Sequence, residues 1–187
     1  MLNIAAWALR ALLIIFGAVV LALSVTLAKQ QVVGSPPAET SFSSFAGAFG
    51  IIVSALGILA ISIQRIPRVG VMAADALASV FYLAGAIALT VALKPVPSCT
   101  SSSDVARNLR YHNKLLNGGC THVKEELICP NAGSGSGNDV DNYTSGRCQR
   151  VQADYVFEYL GFVFGVASII VTFLAHRRGG TTTNTYV

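Results

Sequence analysis

Four long hydrophobic runs, separated by polar segments, dominate the chain. They extend over Ile4–Ala28, Phe45–Ile63, Val71–Leu93 and Tyr155–Ala175. A helix of about 20 apolar residues crosses a hydrocarbon core of about 30 Å, and each run is close to that length. The pattern predicts an all-α membrane protein, with four transmembrane helices bundled in one domain over residues 1–178. A signal peptide is the alternative for the first run, but the stretch after Arg10 is longer than the apolar core of such a peptide.

The polar segment between the third and fourth runs, residues 94–154, sets the direction of the chain across the membrane. All of the cysteines lie in it: Cys99, Cys120, Cys129 and Cys148. Four cysteines in one polar segment indicate two disulfides, which persist on the oxidising side of a membrane. The same segment contains the N-glycosylation sequon that begins at Asn142. We therefore expect an extracytoplasmic, disulfide-bonded loop, with Asn142 as its candidate glycosylation site.

Four cysteines allow three pairings, and their positions favour one of them. Cys99 follows the third run and Cys148 precedes the fourth, so the helices themselves would bring these two close together. Cys120 and Cys129 then remain to close a small inner loop. Loop-closure entropy adds only a weak preference, because the cost of closing a loop rises slowly with its length.

Basic residues beside the short segments give the same orientation. Arg65 and Arg68 lie between the second and third runs, and Arg177 and Arg178 follow the fourth. The positive-inside rule places these segments, and with them both termini, in the cytoplasm. Residues 179–187 then form a polar cytoplasmic tail. A solvated tail is its simplest interpretation, and a trafficking address is the alternative.

Composition argues against a soluble domain and against a nucleic-acid-binding protein. Hydrophobic residues make up 53% of the chain and charged residues only 12%, about half of the usual charged fraction of about 25% in soluble domains. The formal charge of +4 comes mainly from basic residues at the ends of the hydrophobic runs, so we reject nucleic-acid binding.

No motif indicates catalysis or a cofactor. The chain has no nucleophile elbow, no zinc-protease motif and no phosphate-binding glycine loop, so we expect a protein that is not an enzyme and needs no cofactor. His112 and His122 lie near the cysteines, but no closely spaced cysteine pair accompanies them, so we expect no metal site either.

Charges inside the hydrophobic runs are the main candidates for a specific internal interaction. Charged groups in a membrane are expensive and usually face the interior of a bundle. Arg10 and Asp75 lie at similar depths from one face of the membrane, so we predict that they form an ion pair between the first and third helices. Snorkelling of both side chains to water is the alternative. Glu158 lies close to the start of the fourth run, and we expect it at the outer interface near Lys94.

Small residues recur on two of the predicted helices. In lipid they let helix backbones approach closely. The residues that we assign to helix packing are Gly47, Gly50, Ser54, Gly57, Gly161 and Gly165. In the long loop, residues 104–116 are predicted to form an amphipathic helix that Asp104 caps, with Val105 on its buried face.

Short motifs spread over most of the chain resemble a known family. The residues that carry the resemblance are Leu9-Arg10, the run Phe45 to Ile51, Asp75 with Leu77, Val80-Phe81, Ala84-Gly85, Ser98-Cys99, Arg147-Cys148 and Gln152-Ala153. They are similar to the MARVEL-type tetraspan architecture, and more specifically to the fungal non-classical export protein family. That resemblance implies a plasma-membrane protein of eisosome-associated microdomains that responds to sphingolipid state. Residues 114–131, which contain Cys120 and Cys129, depart from the family pattern as an insertion.

Two classes of function follow. The first is a structural membrane organiser, whose partners would be lipids such as sphingolipids or sterols, like subunits or other plasma-membrane proteins. The second is a channel or transporter subunit acting as an oligomer. A permeation path needs polar residues along several helices, and the deep charges are nearly limited to Arg10 and Asp75, so we favour the first class.

Overall fold

The computed structural model describes residues 2–63, 68–123, 126–129 and 137–180. Its elements are α1 (Leu2–Lys29), α2 (Ala38–Ser62), α3 (Arg68–Leu93), α4 (Asp104–His112), β1 (Thr121–Val123), β2 (Glu126–Ile128) and α5 (Gly137–Gly180). Four of these helices, α1, α2, α3 and α5, are long and apolar enough to cross a membrane. The predicted fold class is confirmed. The basic turn at Arg65 and the tail from Thr181 onward lie outside the described residues.

The four long helices form a closed ring. α1 packs against α2 and α5, and α3 packs against the same two helices. Each helix turns one stripe of residues, spaced three and four apart, toward the centre of the ring. On α5 this buried stripe consists of Arg147, Val151, Asp154, Glu158, Gly161, Gly165 and Ser168. Large apolar side chains on the outer faces, such as Ile15, Ile52, Val80 and Val163, are exposed and suit contact with lipid.

Two helices extend beyond the predicted membrane spans. α2 begins at Ala38, before the predicted start of the span at Phe45 and directly after two prolines that cannot continue a preceding helix. α5 begins at Gly137 and continues to Gly180, so its first residues lie in what we predicted to be loop up to Asp154. Hydrophobicity marks the part of a helix that lies in lipid. The polar start of α5 is held by protein contacts instead, as described below.

One end of the ring, here called the loop end, carries the segment between α3 and α5. Its core consists of Leu27, Leu89, Leu93, Val96, Cys99, Leu115, Leu116, Cys148 and Val151. The Cys99–Cys148 disulfide runs through this core, with the two Cα atoms 5.4 Å apart. β1 and β2 form an antiparallel hairpin, which the Cys120–Cys129 disulfide closes at its base. Both predicted disulfides are therefore present.

α4 differs from its prediction in length and in orientation. It ends at His112, and Ser103, not Asp104, caps it by accepting a hydrogen bond from the Ala106 amide. Val105 is 70% exposed, whereas Ala106 and Arg110 are buried. The hydrophobic pattern predicts the wrong buried face for α4. A charged residue, Arg110, lies on the buried face because backbone carbonyl groups accept hydrogen bonds from it.

Candidate functional site

The interior of the ring contains polar groups at three levels. Nearest the opposite end, here called the terminal end, Arg10 on α1 meets Asp75 on α3. The two guanidinium nitrogens donate to the two carboxylate oxygens at 2.5 and 2.6 Å, and both residues are only 2% exposed. Gly57 on α2 makes room for this pair, because a Cβ atom there would collide with the guanidinium group. The ion pair between Arg10 and Asp75 that the sequence predicts is therefore present in the structure.

Breaking this ion pair should destabilise the bundle. Arg10→Ala and Asp75→Ala should each lower the free energy of unfolding in detergent by about 3 kcal/mol, because each leaves one charge unpaired in an apolar interior. The double variant should lose less than the sum of the two. Lys114→Ala is the control: Lys114 forms a surface ion pair with Glu39 at 2.9 Å, which contributes at most about 1 kcal/mol. Strict additivity of the two losses would show that the groups do not interact.

The middle level is filled by one aromatic side chain. Tyr82 on α3 is buried and lies against Gly50 on α2 and Gly161 on α5. The cavity beside it has a volume of about 10 Å³, enough for about one water molecule. The centre of the ring is therefore closed at this level.

The predicted packing residues contact neighbouring helices within the chain. A Cβ atom on Gly47 would lie 2.8 Å from the Leu21 amide nitrogen and 2.9 Å from the Gly17 carbonyl oxygen. A Cβ atom on Gly165 would collide with Ser79, and Ser54 is buried beside the small cavity. These residues therefore serve the close approach of the four helices to one another.

The third level, toward the loop end, contains two acidic residues on α5. Asp154 and Glu158 are both 0% exposed. The Ser24 hydroxyl of α1 donates to Asp154 at 2.5 Å, and the Glu158 carboxyl group packs against Gly85 of α3. The expectation that Glu158 lies at the outer interface near Lys94 is wrong. Glu158 belongs to the inward stripe of α5, whereas the interface assignment considered only its distance from the end of the hydrophobic run.

Arg147 joins three segments at the loop end. It is 1% exposed and donates two hydrogen bonds to the Leu115 carbonyl oxygen, at 3.1 and 2.9 Å. A third bond reaches the Leu27 carbonyl oxygen at 3.2 Å, in the last turn of α1. Carbonyl groups at a helix C-terminus lack partners within the helix, so this side chain caps α1. These bonds hold the polar start of α5 in place.

Arg110 has a similar role beside the first disulfide. Its guanidinium group donates to the carbonyl oxygens of Ser98 and Ser101 at 3.0 and 2.9 Å. Asn113 donates to the Ala92 carbonyl oxygen at 2.9 Å and so caps α3. The long sequence of polar residues after α3 is thereby tied to the ends of the helices.

An open groove of about 720 Å³ lies between α2 and α3 near the loop end. Its walls are mainly apolar and include Ala84, Ile87, Ala88, Val91 and Ala92 of α3. The ion pair between Glu39 and Lys114 closes its polar end. The sequence analysis did not identify this groove. The alanine residues of α3 can be read from the sequence, but the approach of Lys114 from the loop cannot.

Two remaining candidates concern binding and modification. All four cysteines are in disulfides, and the His112 ring contacts the Asn108 carbonyl oxygen at 2.9 Å. Within the described residues no group of three histidine, cysteine or acidic side chains could hold a metal. Asn142 is exposed on α5, whereas Thr144 of its sequon is buried. Glycosylation at Asn142 stays a prediction.

Comparison with known proteins gives one match. The family model described as MARVEL, membrane-associating domain, matches residues 4–171. The match extends over all four long helices and the segment between α3 and α5. No curated protein and no solved structure matches the chain.

Proposed function

The chain belongs to the MARVEL family of membrane-associating domains, and from that premise we propose that it is a non-enzymatic structural organiser of plasma-membrane microdomains. The proposal includes the finer features that the sequence resemblance implies, namely association with eisosomes and a response to sphingolipids. It also includes cytoplasmic termini, with the loop end outside the cell. Its partners are membrane lipids and, as an oligomer or a neighbour, other membrane proteins.

The groove between α2 and α3 is the observation that carries the proposal. Its apolar walls belong to α3, a helix long and apolar enough to cross a membrane, and its polar end offers one negative and one positive group, Glu39 and Lys114, 2.9 Å apart. A sphingolipid combines hydrocarbon chains with an amide, a hydroxyl group and a polar headgroup. The chains would lie along the alanines of α3 while the polar groups meet the ion pair. A site of this kind would bind one lipid class in preference to bulk lipid.

The lipids that copurify in mild detergent test this proposal. Ala88→Leu fills the groove, and Ala76→Leu makes the same change on an exposed position of α3 outside the groove. We expect the wild-type chain to retain sphingolipid above its proportion in the surrounding membrane. Ala88→Leu should reduce this enrichment several-fold, and Ala76→Leu should leave it unchanged. Equal lipid profiles for all three proteins would contradict the sphingolipid part of the proposal.

Flux through liposomes separates the organiser from the alternative, a channel or transporter subunit. Tyr82 closes the centre of a single ring and leaves a small cavity beside it. If the protein is a structural organiser, we therefore expect no selective flux. Reproducible, selective transport by the reconstituted chain would favour an oligomeric transporter.

A further inference from the structure

The two buried carboxyl groups of α5 lack the partners that charged groups need. Within the described residues, no group lies in normal hydrogen-bond geometry to either oxygen of the Glu158 carboxyl group or to Oδ1 of Asp154. Neither residue forms an ion pair within the described parts of the chain. An ionised carboxylate in an apolar interior without a partner is among the most costly arrangements in a protein. The negative charge of these two carboxyl groups must therefore be neutralised by something other than the described side chains.

All four long helices contribute to the surroundings of these carboxyl groups. α1 provides Ser24, which donates to Asp154 Oδ2. α2 provides Ser43, which is fully buried and whose hydroxyl group faces the Glu158 carboxyl group. α3 provides Gly85 and the titratable group of Tyr82. The charged or titratable groups that face Glu158 are thus Asp154 on its own helix and Tyr82 on α3, and none of the described groups is basic.

The packing around Glu158 favours a proton over a metal cation. Its two carboxyl oxygens lie 2.5 and 2.8 Å from where a Cβ atom of Gly85 would be, so the group rests directly on the backbone of α3. A hard cation takes six or more oxygen ligands at about 2.3–2.6 Å and needs space for them. A proton needs no such space. It also removes the repulsion between two acidic groups only one helical turn, about 6 Å, apart along the axis.

We propose that Asp154 and Glu158, with Ser24 and Ser43, form a proton-binding site between the four helices. Water supplies the proton, an O–H bond forms on the Glu158 carboxyl group, and the hydroxide left behind is neutralised by the buffer. The protonated group becomes a donor toward the unpartnered oxygens of the site, while the Asp154 carboxylate accepts the Ser24 hydroxyl hydrogen. Without the bound proton, two neighbouring carboxylates would be packed between the helices, so the packed bundle and the bound proton stabilise one another.

Infrared spectroscopy of the full chain in lipid at neutral pH detects the proton directly. We expect a protonated-carboxyl C=O band that shifts to lower frequency in deuterated water. Glu158→Gln should lose this band, and Asp104→Asn, at an exposed position of α4, should keep it. Should Glu158→Gln fail to fold, wild type and Asp154→Asn decide, because both should still show the band. Its absence from the wild type would overturn the proposal.

Thermal unfolding provides a second readout. Glutamine has the shape and neutrality of a protonated glutamate, so Glu158→Gln should have the same Tm as the wild type, or a higher one. The wild-type Tm should fall as the pH rises above the range in which an exposed glutamate loses its proton, because the folded site still holds a proton that the unfolded chain does not, while Glu158→Gln should lack this fall. A large loss of stability in Glu158→Gln, together with wild-type stabilisation by sodium or calcium ions, would identify a cation site instead and contradict the proposal.

Discussion

Replacing Gly47 by leucine should prevent the native packing of α1 against α2. A Cβ atom at this position would lie 2.8 and 2.9 Å from two backbone atoms of α1. Backbone atoms cannot turn away as a flexible side chain can, so the two helices would have to separate along their length. Because α1 also packs on α5, the separation would spread around the ring. We expect a loss of more than about 4 kcal/mol, which is exceptional for one substitution.

Gly146→Leu is the matched control for this prediction. In the described part of the chain, no atom beyond the neighbouring residues and the nearby backbone of its own helix lies within 4 Å of a Cβ atom at Gly146, which is also in a long helix. Leucine favours a helix more than glycine does, by up to about 1 kcal/mol, so this variant should be neutral or slightly stabilised. Size-exclusion chromatography and thermal unfolding in detergent would compare the two. A monodisperse Gly47→Leu protein with an unchanged Tm would show that α1 and α2 do not pack as described.

The parts of the fold that the sequence predicted correctly are those with one dominant cause. The four spans follow from hydrophobic length, since only a helix satisfies its own backbone groups in lipid. The pairing of Arg10 with Asp75 follows from depth, because few other charged groups lie so far inside. The disulfide pattern follows from the position of each cysteine relative to the helix ends.

The burial of Asp154 and Glu158 was not predicted, although the sequence contains a signal for it. They are spaced four apart and continue the inward stripe that Gly161 and Gly165 define. Hydrophobicity argues against placing acidic residues in an interior, and the position of Glu158 near the end of the span favours the interface. Spacing relative to the packing glycines would have been the better guide, because the side of a helix decides burial as much as depth does.

The loop end could not be predicted in detail because its contacts join distant segments. Arg147 is held by carbonyl groups of Leu27 and Leu115, and Arg110 by those of Ser98 and Ser101. A carbonyl acceptor leaves no trace in the sequence, since every residue has one. The bonds of Arg147 hold a polar part of α5 that precedes the hydrophobic run, so hydrophobicity alone does not show how far this helix extends.

The two disulfides should differ in how much they stabilise the protein. Cys99 and Cys148 are 49 residues apart, whereas Cys120 and Cys129 are 9 apart. Cross-linking a longer loop removes more entropy from the unfolded chain, which gives about 4 kcal/mol for the first bond and about 2.5 kcal/mol for the second. The first bond also lies in the loop-end core with Leu27 and Val151, so its removal disturbs packing as well. The Cys99→Ala/Cys148→Ala pair should therefore be the more damaging of the two double substitutions.

Thermal unfolding and hydrogen exchange of the two double variants would check this order. Without the Cys99–Cys148 bond, exchange should rise in the part of α5 near Cys148 and in α4, because the loop-end core contains both cysteines and α4 packs against α5. Without the Cys120–Cys129 bond, the rise should be confined to the hairpin, whose strands contact each other. Alanine in place of each cysteine avoids burying a new hydroxyl group, so the comparison isolates the cross-link. If removing the hairpin bond costs as much stability as removing the other, the loop-end core is not held by Cys99 and Cys148, and Arg147 would have to hold α5 by itself.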